Sequence, residues 1–178
     1  MTKFLRPALA ALALLAVPAA YAEPPVFMEI AQTPHTQGDV LETAAATGQF
    51  RTFLRLVSAA GYEDTLRAAG PVTVFAPTDE AFSHMSRLEL ERLSSPAAHQ
   101  ELLRLLRYHT VRGRVTTAST HGQMSNLQAA SGYQLHVDGR NGLRVNDQLV
   151  VLPDLDARNG VVQGINTILQ PPVMVAEN

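Results

Sequence analysis

The apolar residues of this chain change period at Val111, and that change constrains the fold more than any other feature. Before it, apolar side chains recur at helical spacing. Asp39, a good N-cap, precedes Val40, Leu41, Ala44 and Ala45; a second stripe of Phe50, Phe53, Leu54 and Val57 is closed by Gly61. A third helix runs from near Pro96 through Leu102, Leu103, Leu105 and Leu106 to Tyr108. One strand interrupts this half: Val72 to Ala76 is β-branched and aromatic, Pro77 stops it, and Thr78 or Asp79 can cap a short helix after it. After Val111 the pattern alternates with period two over 124–127, 133–137, 143–145, 149–152 and 161–165. Asp138-Gly139-Arg140-Asn141-Gly142 is a hairpin turn signal between two of these runs. A helical first half and a strand-rich second half indicate an α+β domain.

The first 22 residues read as an export signal, with Lys3 and Arg6 before the apolar stretch from Leu9 to Val17 and Ala20-Tyr21-Ala22 as cleavage site. That stretch falls short of the roughly 20 residues that span a bilayer, and no later segment is apolar enough, so no membrane insertion is expected. The exported chain is expected to be secreted or periplasmic. It divides into a flexible lead-in at 23–37, rich in Pro, Thr and Gln, one domain at 38–172, and a tail at 173–178. With no cysteine in the sequence, packing alone must hold the domain, and the cysteine of a lipid-anchored precursor is missing. Lys3 and Arg6 are two of the 14 basic residues, so 12 arginines remain against 16 carboxylates, a net charge of about −4. Scattered arginines on a mildly acidic chain do not make the basic stripe that nucleic acid requires.

Three ordered stretches resemble the fasciclin (FAS1) family. Thr73-Val74-Phe75-Ala76-Pro77-Thr78-Asp79-Glu80-Ala81-Phe82 is similar to its first signature, Leu105-Leu106-Arg107-Tyr108-His109 to its central Tyr-His motif, and Asn159-Gly160-Val161 through Pro172 to its closing signature. Arg144-Val145-Asn146 stands where the family often has a Val-Asn pair. The resemblance implies a fasciclin-like wedge of β-sheet, β-sandwich-like and packed with several α-helices. It also implies a role in adhesion and protein–protein contact outside the cytoplasm. Thr73, Phe75, Pro77, Thr78, Asp79, Phe82, Asn159, Gly160 and Val161 are carried over from the signatures as structural residues. Gln163 and Asn166 depart from the usual His and Asp. In animal matrix relatives an Asp-Ile pair near this signature is linked to integrin binding, and the neutral amide of Asn166 does not replace a carboxylate that completes a receptor metal site.

Two readings attach to Tyr108 and His109. Structurally, Tyr108 buries its ring and His109 satisfies carbonyls left open at a helix end. Functionally, the pair, flanked by Arg104, Arg107, Arg112 and Arg114, forms a partner-binding patch, with Tyr108, His109, Arg107 and Arg112 as the candidate contacts. Asp79 and Glu80 invite an acid/base reading, but helix capping explains them with fewer assumptions. The six histidines show no HExxH spacing, and Asp154-x-Asp156 lacks the glycine and closing Glu of a calcium loop. No nucleophile elbow, phosphate loop or dinucleotide fingerprint is present. The expected function is therefore a non-enzymatic, monomeric binding module for a protein or surface polysaccharide, without cofactor or metal. The alternative is an extracytoplasmic carrier or sensor of a small ligand such as a lipid or haem, which calls for an enclosed apolar pocket.

Overall fold

The computed structural model describes residues 38–172; the expected export signal at 1–22, lead-in at 23–37 and tail at 173–178 lie outside them. Asp39 opens α1 (Val40–Thr47) with a capping box. Its carboxylate accepts from the amides of Leu41 and Glu42 at 2.9 Å, and the Glu42 carboxylate accepts from the Asp39 amide at 3.0 Å. α2 (Arg51–Ala59) turns Phe53, Leu56 and Val57 inward, whereas the six-residue α3 (Glu63–Ala68) contributes only Leu66. Then come β1 (Val72–Pro77), α4 (Asp79–Ser83), α5 (Arg87–Leu93), a 3₁₀ turn at Pro96–Ala98 and α6 (His99–Tyr108). The strand-rich half holds β2 (Thr110–Arg112), the one-turn α7 (Thr117–Thr120), β3 (Met124–Gln128), β4 (Gln134–Asp138), β5 (Arg144–Val145), β6 (Gln148–Ala157) and β7 (Gly160–Ile165).

The strands form one sheet in the order β2-β1-β7-β6-β5-β4-β3, in which β1 and β7 run parallel and the other neighbours antiparallel. Every residue of β1 and β7 is buried, as strands covered on both faces require. On one side Val72, Val74 and Val162 meet Phe50, Phe53, Leu56 and Leu102 from the helices. On the other, Phe75 and Ile165 meet Leu135, Val137 and Val145 from the inner face of the β4–β5 meander. The sheet curls until its edges touch: Val111 bridges Ala129, and the Ala130 amide donates to the Thr110 carbonyl at 2.7 Å. The result is an α+β wedge with a sandwich-like β-core.

Close approach of chains explains one glycine. A Cβ on Gly160 would lie 1.9 Å from the Val72 carbonyl oxygen, so only glycine lets β7 start against β1. β6 corrects the sequence reading, which ends that strand at Leu152. It continues through Pro153 to Ala157 because its register slips between Val150 and Leu152 and again before Leu155, so the proline stands where regular pairing is already interrupted. A further two-residue turn, Asn146-Asp147 with φ of 46° and 64°, joins β5 to β6 in the left-handed conformation that tight hairpins favour.

Candidate functional site

The Tyr-His motif sits where α6 ends. α6 turns Leu102, Leu105, Leu106 and Tyr108 inward, and the backbone leaves the helix at His109. His109 is 1% exposed. Its Nε2 accepts from the Leu169 amide at 3.1 Å, so the ring proton sits on Nδ1, which donates to the Leu105 carbonyl at 2.8 Å. The neutral imidazole thus staples the end of α6 to the closing segment. Burial pushes its pKa down to about 4, against the upward pull of the Leu105 carbonyl.

Tyr108 is 3% exposed, and its hydroxyl accepts from Asn146 Nδ2 at 2.8 Å and donates to the Gln134 carbonyl at 3.3 Å. Asn146 also accepts from the His136 amide at 2.9 Å, so one side chain joins the β5–β6 turn, β4 and the end of α6. Tyr108 and His109 therefore present no side-chain surface to a partner, which corrects their candidacy as contacts. Their polar atoms meet internal groups that would otherwise be buried without partners.

The arginines do not gather around them. Arg114 bonds the carbonyls of Ala157 and Gly160 and pairs with Asp156. Arg112 is exposed beside a depression that also includes Tyr62 and Thr110. Arg107, also exposed, lies on the Tyr62 side, where its charge opposes the rise in Tyr62 pKa that burial causes. The four arginines thus do not form one patch: Arg104 lines a different cleft and Arg114 is paired with Asp156, whereas Arg107 and Arg112 both lie toward Tyr62.

Residues of the other two signatures are engaged internally. Thr73 Oγ1 donates to the Gly113 carbonyl at 2.6 Å and accepts from the Val115 amide at 2.8 Å. Phe75 lies in the β-core and Phe82 in the helical core, while Pro77 ends β1. Thr78 caps α4 through the Ala81 amide at 3.3 Å. Asp79 faces away from α4 and caps α2, whose own N-cap is the apolar Phe50, accepting from the amides of Arg51 at 3.2 Å and Thr52 at 2.7 Å. Asn159 accepts from the Val40 amide and donates to the carbonyls of Leu66 and Ala69, pinning α1 and α3 to the start of β7, where Val161 pairs with Thr73.

Gln163, fully buried, accepts from the Asp154 amide at 2.9 Å and donates to the Val115 carbonyl and the Asp154 carboxylate, each at 2.8 Å. Asp154 also holds the Thr117 amide and hydroxyl. With Asp156 paired to Arg114, neither carboxylate of the calcium-like stretch stands open, and no group of three or more metal-ligating side chains occurs among the described residues. Asn166 lies exposed beyond β7.

What the motif supports on its outer side is a surface cleft of about 340 Å³, bounded by Glu101, Arg104 and Leu105 of α6, Tyr133, and Gln170 to Pro172. Its parts rest directly on the buried pair. Tyr133 stands edge-on to Tyr108, with ring centroids 6.2 Å apart and planes at 85°. Leu169, the residue bonded by His109, leads straight into Gln170. Sequence reasoning names Arg104 and Tyr133 but not their meeting, since Tyr133 and the closing prolines reach α6 only through the fold. A larger groove of about 600 Å³ lies between α2 and α5, where Arg87 and Glu91 are paired to each other.

Comparison with known proteins accords with this architecture. The model of the Fasciclin domain family matches residues 48–171. Protein sll1483 of Synechocystis sp. is 35% identical over 135 residues, covering 75% of this chain and 74% of its own. Transforming growth factor-beta-induced protein ig-h3 of Sus scrofa is 35% identical over 136 residues, 76% of this chain and 20% of that protein. Among solved structures, a FAS1 domain pair from the insect cell adhesion molecule Fasciclin I has a similar fold, with a TM-score of 0.56 and 18% identity over 75% of this chain and 51% of that one. With more than half of the chain matched by the family model, and three motifs in their order, the chain belongs to the Fasciclin domain family.

Proposed function

We propose that the chain is an exported, non-enzymatic binding module that makes adhesive or surface contacts outside the cytoplasm, and that the cleft between α6, Tyr133 and the Gln170–Pro172 segment is its contact surface. The observation that carries this reading is the division of labour around the Tyr-His motif. Both nitrogens of His109, the hydroxyl of Tyr108 and the carboxylate of Asp79 hold the scaffold together, and so none is left as a free base or nucleophile. The groups left facing solvent in the cleft, such as the Arg104 guanidinium and the Gln170 amide, are suited to recognition. The Lys3/Arg6 leader with its Ala20-Tyr21-Ala22 site supports export, and the Fasciclin I match is to a cell adhesion molecule.

The test is a pull-down from envelope and culture-medium fractions with the chain beginning at Glu23. An Arg104→Glu/Tyr133→Leu variant, checked for native fold, serves as the comparison. A partner retained by the parent and lost by the variant is the expected result. Retention of nothing, or equal retention by both forms, refutes the reading.

A further inference from the structure

We infer that the cleft is built for a carboxylate-bearing polysaccharide, a chain containing uronic acid, in preference to a protein surface; the inference rests on the binding-module reading above. Local charge comes first. The Glu101 carboxylate is engaged first by Arg92, from which both its oxygens accept at 2.8 Å, and that guanidinium also binds Glu89. The Arg92 pairing, with a smaller contribution from the Arg104 charge, holds the Glu101 carboxyl below its ordinary range, so it stays ionised and engaged. Arg104 is exposed and acts on Glu101 through its charge alone, with no direct hydrogen bond or ion pair among the described residues, so its N–H groups are open to a ligand. A guanidinium with its fork open to solvent is matched to a carboxylate, which it can bind in bidentate fashion.

The other walls fit a sugar. Tyr133 is a half-buried ring held perpendicular to Tyr108, whose hydroxyl is itself fixed by Asn146 and the Gln134 carbonyl. The platform is therefore held before any ligand arrives, which lowers the ordering cost of binding. Pro171 and Pro172 add rigid apolar surface, and the exposed Gln170 amide offers donors and an acceptor for hydroxyl groups. A volume of about 340 Å³ stands at the small end of ligand clefts, which run from roughly 300 to 1,000 Å³.

A protein partner would need an apolar centre excluded from water. The large hydrophobic side chains exposed among the described residues, Leu88, Met124, Leu149 and Val151, lie on α5, β3 and β6, and none lines the cleft. The chain's net negative charge also means that a polyanion is not drawn in by the overall field, so recognition has to come from Arg104 locally.

The experiment titrates the chain beginning at Glu23 with a defined oligogalacturonate and with a neutral malto-oligosaccharide of equal length, by calorimetry and amide chemical-shift mapping. Expected are binding of the uronide alone, shifts centred on Arg104, Tyr133 and Gln170, and affinity about tenfold weaker in Arg104→Gln, as loss of one charged hydrogen-bonding partner implies. The remote Arg55→Gln should bind as the parent does. No uronide binding, equal binding of the neutral glucan, shifts centred elsewhere, or an unchanged Arg104→Gln overturns the inference. If the uronide fails while the pull-down still yields a protein lost with the cleft variant, only this inference falls; if the pull-down is also empty, the binding-module reading falls with it.

Discussion

Acidification tests the interior of the Tyr-His motif, because His109 meets the closing segment only as a neutral base. In the unfolded chain its imidazole takes a proton near its ordinary value of 6.5, whereas in the fold burial holds that value down to about 4. The unfolded state therefore binds the extra proton first. The sign follows: stability from this residue is complete above pH 6.5 and is lost as pH falls toward 4. Between pH 7 and pH 5 the linkage amounts to about 2 kcal/mol, approaching about 3 kcal/mol at pH 4, at roughly 1.4 kcal/mol per pKa unit. Urea unfolding at pH 7, 6 and 5 measures it, with His109→Gln as the reference because its amide can still accept from Leu169 but does not titrate. Carboxylates protonate in both proteins and cancel. The parent is expected to lose about 2 kcal/mol more than the variant over this interval; parallel losses would refute the neutral, doubly bonded imidazole.

Other perturbations have equally direct readouts. Asp79→Ala removes the surrogate cap of α2 and should lower stability by about 1 kcal/mol in thermal unfolding, without altering the binding measured at the cleft. Gly160→Ala drives a methyl group into the Val72 carbonyl, so at least about 3 kcal/mol or outright failure to fold is expected, visible as loss of soluble expression. Gln163→Leu strands the Asp154 amide and the Val115 carbonyl in the interior and should cost about 2 to 4 kcal/mol; a change under 0.5 kcal/mol would show that water or local shifts satisfy both groups.

The parts of the fold legible in the sequence are those where one periodic face meets one core. α2 and α6 carry wide apolar stripes, the β3–β5 meander alternates, and Asp39 reads as the N-cap of α1, although its capping-box partner Glu42 emerges only in the structure. The sequence reading passes over α3, α5 and α7, because each is short and buries a single side chain, Leu66, Leu93 and Thr120, so no stripe develops. β2 is only three residues long and exists through its pairing with β1. The parallel pairing of β1 with β7 joins residues nearly ninety positions apart, which no local pattern encodes. The site follows the same rule. The motif residues are visible as letters, but Tyr133 reaches Tyr108, and Gln170 reaches α6, only after β4 and the closing segment have folded onto the helix.

The same geometry separates the interior bonds that hold the fold from the outer faces that it presents. Asp79 to α2, Asn159 to α1 and α3, His109 to Leu169 and Asn146 to Tyr108 are long-range bonds from side chain to backbone, or between side chains, at the ends of elements. Such bonds fix where helices and strands stop without dictating what their outer faces carry. Arg104 points to solvent one turn before Tyr108 on α6, and Gln170 one residue after the Leu169 amide that His109 holds. If the cleft is the contact surface proposed above, substituting either outer residue changes recognition while leaving the buried bonds intact, whereas substituting Tyr108 or His109 removes the support beneath it. Loss of binding after changes at Tyr108 or His109 would accordingly report a collapsed cleft, and only variants at Arg104, Tyr133 and Gln170 isolate the contact itself.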